Sequence, residues 1–249
     1  MTQQTRRVIL VVPANNTTME KEIAAYIPEI TDLQVARIPR PHRPLQVADL
    51  PVYRQSTLDT VVPLVKGGAD LVIYGCTAAG FLAGAGGDTE AVKKLADLVG
   101  APVVSTAATM GTALHASGLR HVDLVSPYVD WKNDILIKFL ADAGVTVAGS
   151  SSFSTQNPTE LGGITVDQVL QKGLATARDD SEGLFIACVQ LPTIDVIPMP
   201  TQQLKRSVWS AVRSAAWAAL RALSLPAERL VPDCPPNARA MARGAVVSV

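Results

Sequence analysis

The side chains of this chain with the most chemistry to offer are its three cysteines, Cys76, Cys188 and Cys234. A thiol is a nucleophile and an acid/base group at once, and its surroundings decide which it becomes. Cys76 follows the apolar run Leu71-Val-Ile-Tyr-Gly75 and leads into Thr77-Ala78-Ala79-Gly80. Such a run reads as a buried parallel strand, and the small residues after it as a helix start. Backbone amides of Thr77 and Ala78 at that terminus would receive an anion and favour a thiolate. Cys188 holds the same place after Leu184-Phe-Ile-Ala187, where the turn through Val189 and Gln190 would present further backbone donors. Cys234 lies between prolines (Pro232-Asp-Cys234-Pro-Pro236), with no strand before it, and reads as a tail residue. His42, His115 and His121 make no spacing that zinc would use, so neither a metal nor an organic cofactor is expected.

A cysteine at the carboxyl end of a parallel strand stands where open α/β sheets bind ligands. The scaffold for two such positions is visible as two matching sets of short apolar runs. Strands are expected at 7–12, 33–38, 71–75 and 102–105, then at 121–125, 145–149 and 184–187, with a weaker one at 195–197. Helices are expected at 18–26, opened by a Thr17-x-x-Glu20 capping box, and at 89–99, capped by Asp88. Further helical spacing covers 129–143, 166–177 and a closing stretch at 203–223. Val8-Ile-Leu-Val-Val-Pro13 matches Val122-Asp-Leu-Val-Ser-Pro127, and Asp70-to-Cys76 matches Glu182-to-Cys188. The prolines are 114 residues apart and the cysteines 112, which points to a duplicated unit. The expected fold is α/β, with two pseudo-symmetric Rossmann-like halves, each a mostly parallel four-stranded sheet flanked by helices. The division falls at 1–118 and 119–225, with a tail at 226–249. The active site is expected in the cleft between the halves, where the two cysteines would face each other.

Composition removes several function classes. The 249 residues carry 22 Lys and Arg against 22 Asp and Glu, and only 4% are aromatic. Neither a nucleic-acid footprint nor a base-stacking platform is present. No apolar run approaches the ~18 residues of a membrane span. Thr5-Arg6-Arg7 before an apolar run resembles a twin-arginine signal, but Pro13 and Asn15-Asn16 interrupt it and a buried strand is the better reading. Few cysteines in a long chain suggest a reducing, cytoplasmic setting. The basic segment 39–44, with Arg40, His42 and Arg43, follows a strand end and offers a partner for a substrate carboxylate. Gly84-Ala-Gly86-Gly87 lacks the strand and final glycine of a dinucleotide loop. The apolar helix 211–223 is available for a subunit contact in a homo-oligomer, a dimer or tetramer.

Four strings together, Pro13-Ala-Asn-Asn16-Thr-Thr-Met-Glu20, Gly75-Cys76-Thr77, Ser126-Pro-Tyr128-Val-Asp130 and Ala187-Cys188, resemble the aspartate/glutamate racemase superfamily. The branch they are most similar to is maleate cis-trans isomerase, with arylmalonate decarboxylase as a relative. The resemblance implies that Cys76 and Cys188 are the two active-site cysteines. It implies that Asn16, Tyr128 and Asn157 are polar substrate contacts, and that Thr77 donates to the same carboxylate. The decarboxylase branch keeps only the second cysteine, so Cys76 argues against decarboxylation. Two departures bear on the substrate. The isomerase usually has Thr-Asn after its second cysteine where this chain has Val189-Gln190, and the segment 197–203 is short relative to the family's last strand.

Two cysteines across one cleft support cis-trans isomerisation of a small dicarboxylate by addition, bond rotation and elimination, with Cys76 as nucleophile and Cys188 as acid/base. The alternative reading is two-base racemisation of an amino acid, hydantoin or related acid without an adduct. A decarboxylase or a non-catalytic small-acid binding protein is the remaining alternative. Specificity is expected in the loops 40–51 and 157–163.

Overall fold

A computed structural model of the chain describes residues 5–204 and 206–231, without the side chains of 199–201. Cys234 and the rest of the tail from 232 lie outside the described residues. The first sheet consists of β1 (Arg7–Pro13), β2 (Asp32–Ile38), β3 (Leu71–Tyr74) and β4 (Val103–Ser105), parallel throughout in the order β2-β1-β3-β4. The second consists of β5 (His121–Ser126), β6 (Thr146–Ser152), β7 (Gly183–Ile186) and β8 (Ser207–Ser210), also parallel, in the order β6-β5-β7-β8. Counted from its own first strand, each sheet has the same order. Val8 to Val12 are all fully buried, because helices cover both faces of a parallel sheet and leave no polar side. Each such Val, Leu or Ile contributes about 1.5–3 kcal/mol of burial.

The helices are α1 (Met19–Tyr26), α2 (Leu50–Val61), α3 (Thr77–Val99) and α4 (Thr106–Ala116) in the first half. The second half has α5 (Asp130–Asp142), α6 (Val166–Thr176), α7 (Pro198–Leu204) and α8 (Ala211–Ala222). The halves interlock. Helix α8 packs on α4, α1 and the β3–β4 edge of the first sheet. In return α4 reaches the end of α5, where His115 Nε2 lies 3.3 Å from the Gly144 carbonyl oxygen. The buried face of α8 is therefore used within the chain, and the subunit contact expected of the helix 211–223 is not available on it.

Three local expectations are corrected. The last strand is not at 195–197, which forms a turn; β8 lies inside the stretch expected to be helical from 203. Val208 and Trp209 are fully buried beside β7, and Ser210 ends the strand by capping α8, its Oγ accepting from Arg213 N at 3.1 Å. Asp88 is no helix cap: α3 already begins at Thr77 and bends at Gly84 (φ 71°), a backbone angle that favours glycine. Asp88 lies within that helix, buried, and accepts from Ser105 Oγ at 2.6 Å. The capping box of α1 is also absent. Asn16 Oδ1 accepts from Thr18 N and Met19 N instead, at 3.1 and 2.9 Å, while Glu20 pairs with Arg37 at 2.6 Å.

Candidate active site

The carboxyl ends of β1, β3, β5 and β7 open onto one cleft lined by both Cys76 and Cys188. Its volume is about 50 Å³, room for a few water-sized groups. Access to it from β3 depends on Gly75. The Gly75 amide donates to Val11 O at 2.7 Å, and a Cβ there would stand 2.7 Å from that same oxygen and 2.5 Å from Met19 Sδ. Only glycine allows the chain to pass so close and deliver Cys76 to the cleft.

Cys76 is the N-cap residue of α3, so its side chain stands at the amide-rich end of a helix. Beside it Thr77 Oγ1 is buried with no protein partner. An unsatisfied hydroxyl in a cleft is suited to a bound oxygen. Behind Cys76, the Tyr53 hydroxyl of α2 is buried beside the thiol, and burial with the nearby Cys76 drives its pKa well upward. Tyr53 is thus a neutral phenol, its proton available next to the thiol.

Cys188 has a different environment. Its φ is 129°, a conformation that non-glycine residues rarely adopt and that costs on the order of 1–3 kcal/mol. The bent backbone turns Gln190 N toward Sγ, to which it donates at 3.4 Å. Burial pushes the Cys188 thiol up, against the lowering effects of the Gln190 amide and the Tyr128 hydroxyl. Cys188 therefore holds its proton at neutral pH. Tyr128 itself stays neutral, because burial and the neighbouring Cys188 raise its pKa.

The segment carrying Cys188 is braced by the loop after β1. Asn16 Nδ2 donates to Val189 O at 3.0 Å, and Thr18 Oγ1 donates to Gln190 O at 2.9 Å. Gln190 Oε1 accepts from Thr17 N while its Nε2 donates to Thr17 Oγ1, both at 3.1 Å. Farther along, the buried carboxylate of Glu22 accepts from Thr193 N, Thr193 Oγ1 and Ile194 N at 2.5, 2.7 and 2.9 Å. One half thus holds the other half's cysteine in place.

Of the residues singled out in the sequence, the cleft brings together Cys76, Cys188, Asn16, Thr77, Ala78, Tyr128, Val189 and Gln190. Asn16 and Gln190 spend most of their hydrogen bonds on the brace, leaving Asn16 one N–H for a ligand. Asn157 does not line the cleft; its Oδ1 accepts from Thr159 N and Thr159 Oγ1 at 3.1 and 2.8 Å. The turn it caps does contribute, through Pro158 and Leu161. From the basic segment Arg40 lines the cleft, whereas His42 is exposed and Arg43 pairs with Asp49 at 2.7 Å.

Sequence reasoning missed Lys132, Asn15 and Tyr53. Lys132 lines the cleft and is only 3% exposed, with its Nζ 5.6 Å from the Tyr128 ring centroid. Asn15 lines it too, with Nδ2 donating to Pro158 O at 2.8 Å and Oδ1 buried without a partner. The signals were the doubled Asn15-Asn16 and a lysine four residues after Tyr128, one helical turn along. Among the described residues no cluster of three or more His, Cys, Asp or Glu forms a metal site. No helix among them is long and apolar enough to cross a membrane.

With this geometry in hand, comparison with known proteins is informative. The profile of a family described as arylmalonate decarboxylase (Amdase) matches residues 52–230. The chain is 27% identical over 234 residues to a maleate isomerase of Geobacillus stearothermophilus, covering 88% of this chain and 92% of that protein. An arylmalonate decarboxylase of Bordetella bronchiseptica is 26% identical over 169 residues, 67% of this chain and 70% of that one. Among solved structures, a variant of Nocardia farcinica maleate cis-trans isomerase with a covalently bound succinylcysteine intermediate superposes with a TM-score of 0.83 at 23% identity. It covers 95% of this chain and 99% of its own, with the same fold.

Proposed function

The chain belongs to the arylmalonate decarboxylase family, and within that family we propose that it is a cofactor-independent cis-trans isomerase of a small dicarboxylate, converting a maleate-like to a fumarate-like acid. The observation that carries this is the presence of two free cysteines in one small cleft in unequal surroundings. A decarboxylase that works with one thiol has no use for Cys76 at a helix N-terminus. The likeness to maleate isomerases spans most of both chains, and the succinylcysteine of the Nocardia protein is the adduct this scheme calls for.

In the scheme the Cys76 thiolate adds to one alkene carbon, forming a C–S bond, and the displaced π pair takes the proton of Cys188 at the neighbouring carbon. The former double bond is now single and rotates. Cys188, left as a thiolate, removes the proton again. The double bond re-forms as the C–S bond breaks, and Cys76 departs as a thiolate. While charge sits on the carboxylate adjoining the reacting carbon, Thr77 Oγ1, the free Asn16 N–H and the Tyr128 hydroxyl are placed to stabilise it. The raised pKa of Cys188 suits a group that must arrive protonated.

The proposed halves at 1–118 and 119–225 are supported by the two separate sheets, although α4 and α8 cross between them. The exposed Val47, Val52 and Leu98 support a homo-oligomer, and two free thiols suit a reducing cytoplasm. The test of function is incubation with maleate in D₂O. Fumarate should appear, and Cys188→Ala should trap a succinyl adduct on Cys76 by mass spectrometry. Turnover of maleate by Cys76→Ala, or no fumarate but deuterium exchange at the α-carbon of an amino acid or hydantoin supplied instead, would refute the reading.

A further inference from the structure

Lys132 occupies a position that folding alone does not justify. It is 3% exposed, on the first turn of α5, where the positive end of the helix dipole disfavours a cation. A buried ammonium is expected to have an anionic partner. Among the described residues Lys132 makes no ion pair and no hydrogen bond; the carboxylate that acts on it from nearby, Asp49, is itself paired with Arg43. It rests against the rings of Tyr128 and Trp131, with Nζ 5.6 and 5.5 Å from their centroids. Across the same cleft Arg40 adds a second positive charge, and its Nε is buried without a partner. Among the described residues no Asp or Glu lines the cleft. A pocket with two cations, no carboxylate and several unused donors is built for a ligand that brings negative charge with it.

The charge also has a distinct place. Thr77 and Cys76 belong to the β3 end of the cleft, while the β7 end offers Val189 and Gln190, whose side-chain amide is committed to Thr17. A second carboxylate therefore finds no free side-chain amide at residue 190. We propose that Lys132, aided by Arg40, binds the second carboxylate of the substrate and makes the cleft selective for dianions over monoanions. This rests on the dicarboxylate reading given above and adds the group that selects the second charge. Its position agrees with a shifted proton affinity: burial and the nearby Arg40 pull Lys132 down to about 8, leaving it charged at neutral pH and easily re-stabilised by a carboxylate.

The test is binding by the full-length enzyme of succinate, a saturated dianion that cannot react, against succinamate, the same skeleton with one charge removed. Calorimetry on the wild type should show succinate preferred by tenfold or more. Lys132→Met should abolish that preference with succinamate affinity within about twofold, and Lys132→Arg should retain most of it. Arg40→Gln, on a half-buried loop, should reduce the preference severalfold and serves as the readout if Lys132→Met fails to fold. Equal affinities in the wild type, or a preserved preference in folded Lys132→Met, would overturn the proposal; so would a preserved preference in Arg40→Gln where Lys132→Met does not fold. The assay involves no turnover. A wild type that prefers succinate but does not isomerise maleate would refute the isomerase reading and leave Lys132 as a dianion site. A wild type that isomerises maleate, with the preference intact in Lys132→Met, would do the reverse.

Discussion

Glu22 lies outside the cleft, yet it should control the position of Cys188. Its Oε1 accepts from Thr193 N and Ile194 N, and its Oε2 from Thr193 Oγ1. Truncation to alanine leaves the buried Thr193 and Ile194 amides unsatisfied at about 1–3 kcal/mol each, while Thr193 Oγ1 keeps Ser210 Oγ as an acceptor. It also relieves part of the desolvation cost of a buried carboxylate, so the net loss is about 2–4 kcal/mol. For a chain of this size that is a fall in Tm of about 4–16 °C. Glu22→Gln should behave differently. Its Oε1 keeps both backbone donors, and Thr193 Oγ1 can turn its proton to Ser210 Oγ, 2.9 Å away, while accepting from the new amide. The expected cost at neutral pH is below about 1 kcal/mol. The pH dependence has a definite sign. Burial raises the Glu22 pKa above its usual range despite the Thr193 and Ile194 bonds. Stability linked to Glu22 is then fully present below the unfolded pKa and is lost as pH rises through the folded one. The glutamine variant should therefore gain on the wild type as pH rises from about 4, the range of an unfolded carboxyl, through neutrality. Thermal unfolding across that range, together with kcat for both variants, is the assay. Loss of the brace should lower kcat of Glu22→Ala by about tenfold or more through misplacement of Cys188. Equal losses in the two variants, or an alanine variant within 1 kcal/mol of wild type, would refute the bracing argument.

Three further outcomes follow from the geometry. Tyr128→Phe removes the hydroxyl facing Cys188, and Thr77→Val removes the unpartnered hydroxyl beside Cys76. Each should lower kcat by about 10²-fold with the fold intact by circular dichroism, as for one donor to developing charge. Lys132, pulled down to about 8 chiefly by burial, should lose its charge in the free enzyme as pH rises through that value. kcat/KM for a dicarboxylate should decline there, and Lys132→Arg should carry the plateau to higher pH. Gly75→Ala should cost about 1–3 kcal/mol in denaturant unfolding, since the added methyl meets the Val11 carbonyl oxygen, which its strand holds in place.

The cysteines and their strands were legible because a buried parallel strand is a continuous apolar run, and chemistry collects where the run ends. The duplication was legible for the same reason, since Pro13 and Cys76 have partners at nearly one offset. Strand β8 was hidden: four residues, Ser207-Val-Trp-Ser210, give no alternation long enough to separate from the helix that follows. Trp209 and Trp217 are eight apart, a helical interval, yet the first is in the strand and the second in α8. Lys132 was illegible because a lysine in an amphipathic pattern normally marks the solvated face. Only the fold shows that this face of α5 closes over the cleft.

The two halves repeat each other in topology but not in chemistry, and this difference supports the roles proposed for the two cysteines. Cys76 stands at the N-terminus of α3, immediately after its strand and ahead of the break in that helix at Gly84. In the second half the equivalent segment, from 189 to 197, forms no helix, and Cys188 is held by a positive φ and by loop contacts to the first half. Without a helix terminus to stabilise its anion, and with burial opposing it, Cys188 keeps its proton. A nucleophile must start as an anion and a proton donor must start neutral, so unequal surroundings are what an addition–elimination cycle requires. A racemase working in both directions on mirror-image substrates would favour two cysteines in like environments. The asymmetry also explains why the brace from Asn16 to Glu22 is so extensive. A cysteine with no helix behind it must be located by side chains, and the half that supplies them is the half that carries the nucleophile.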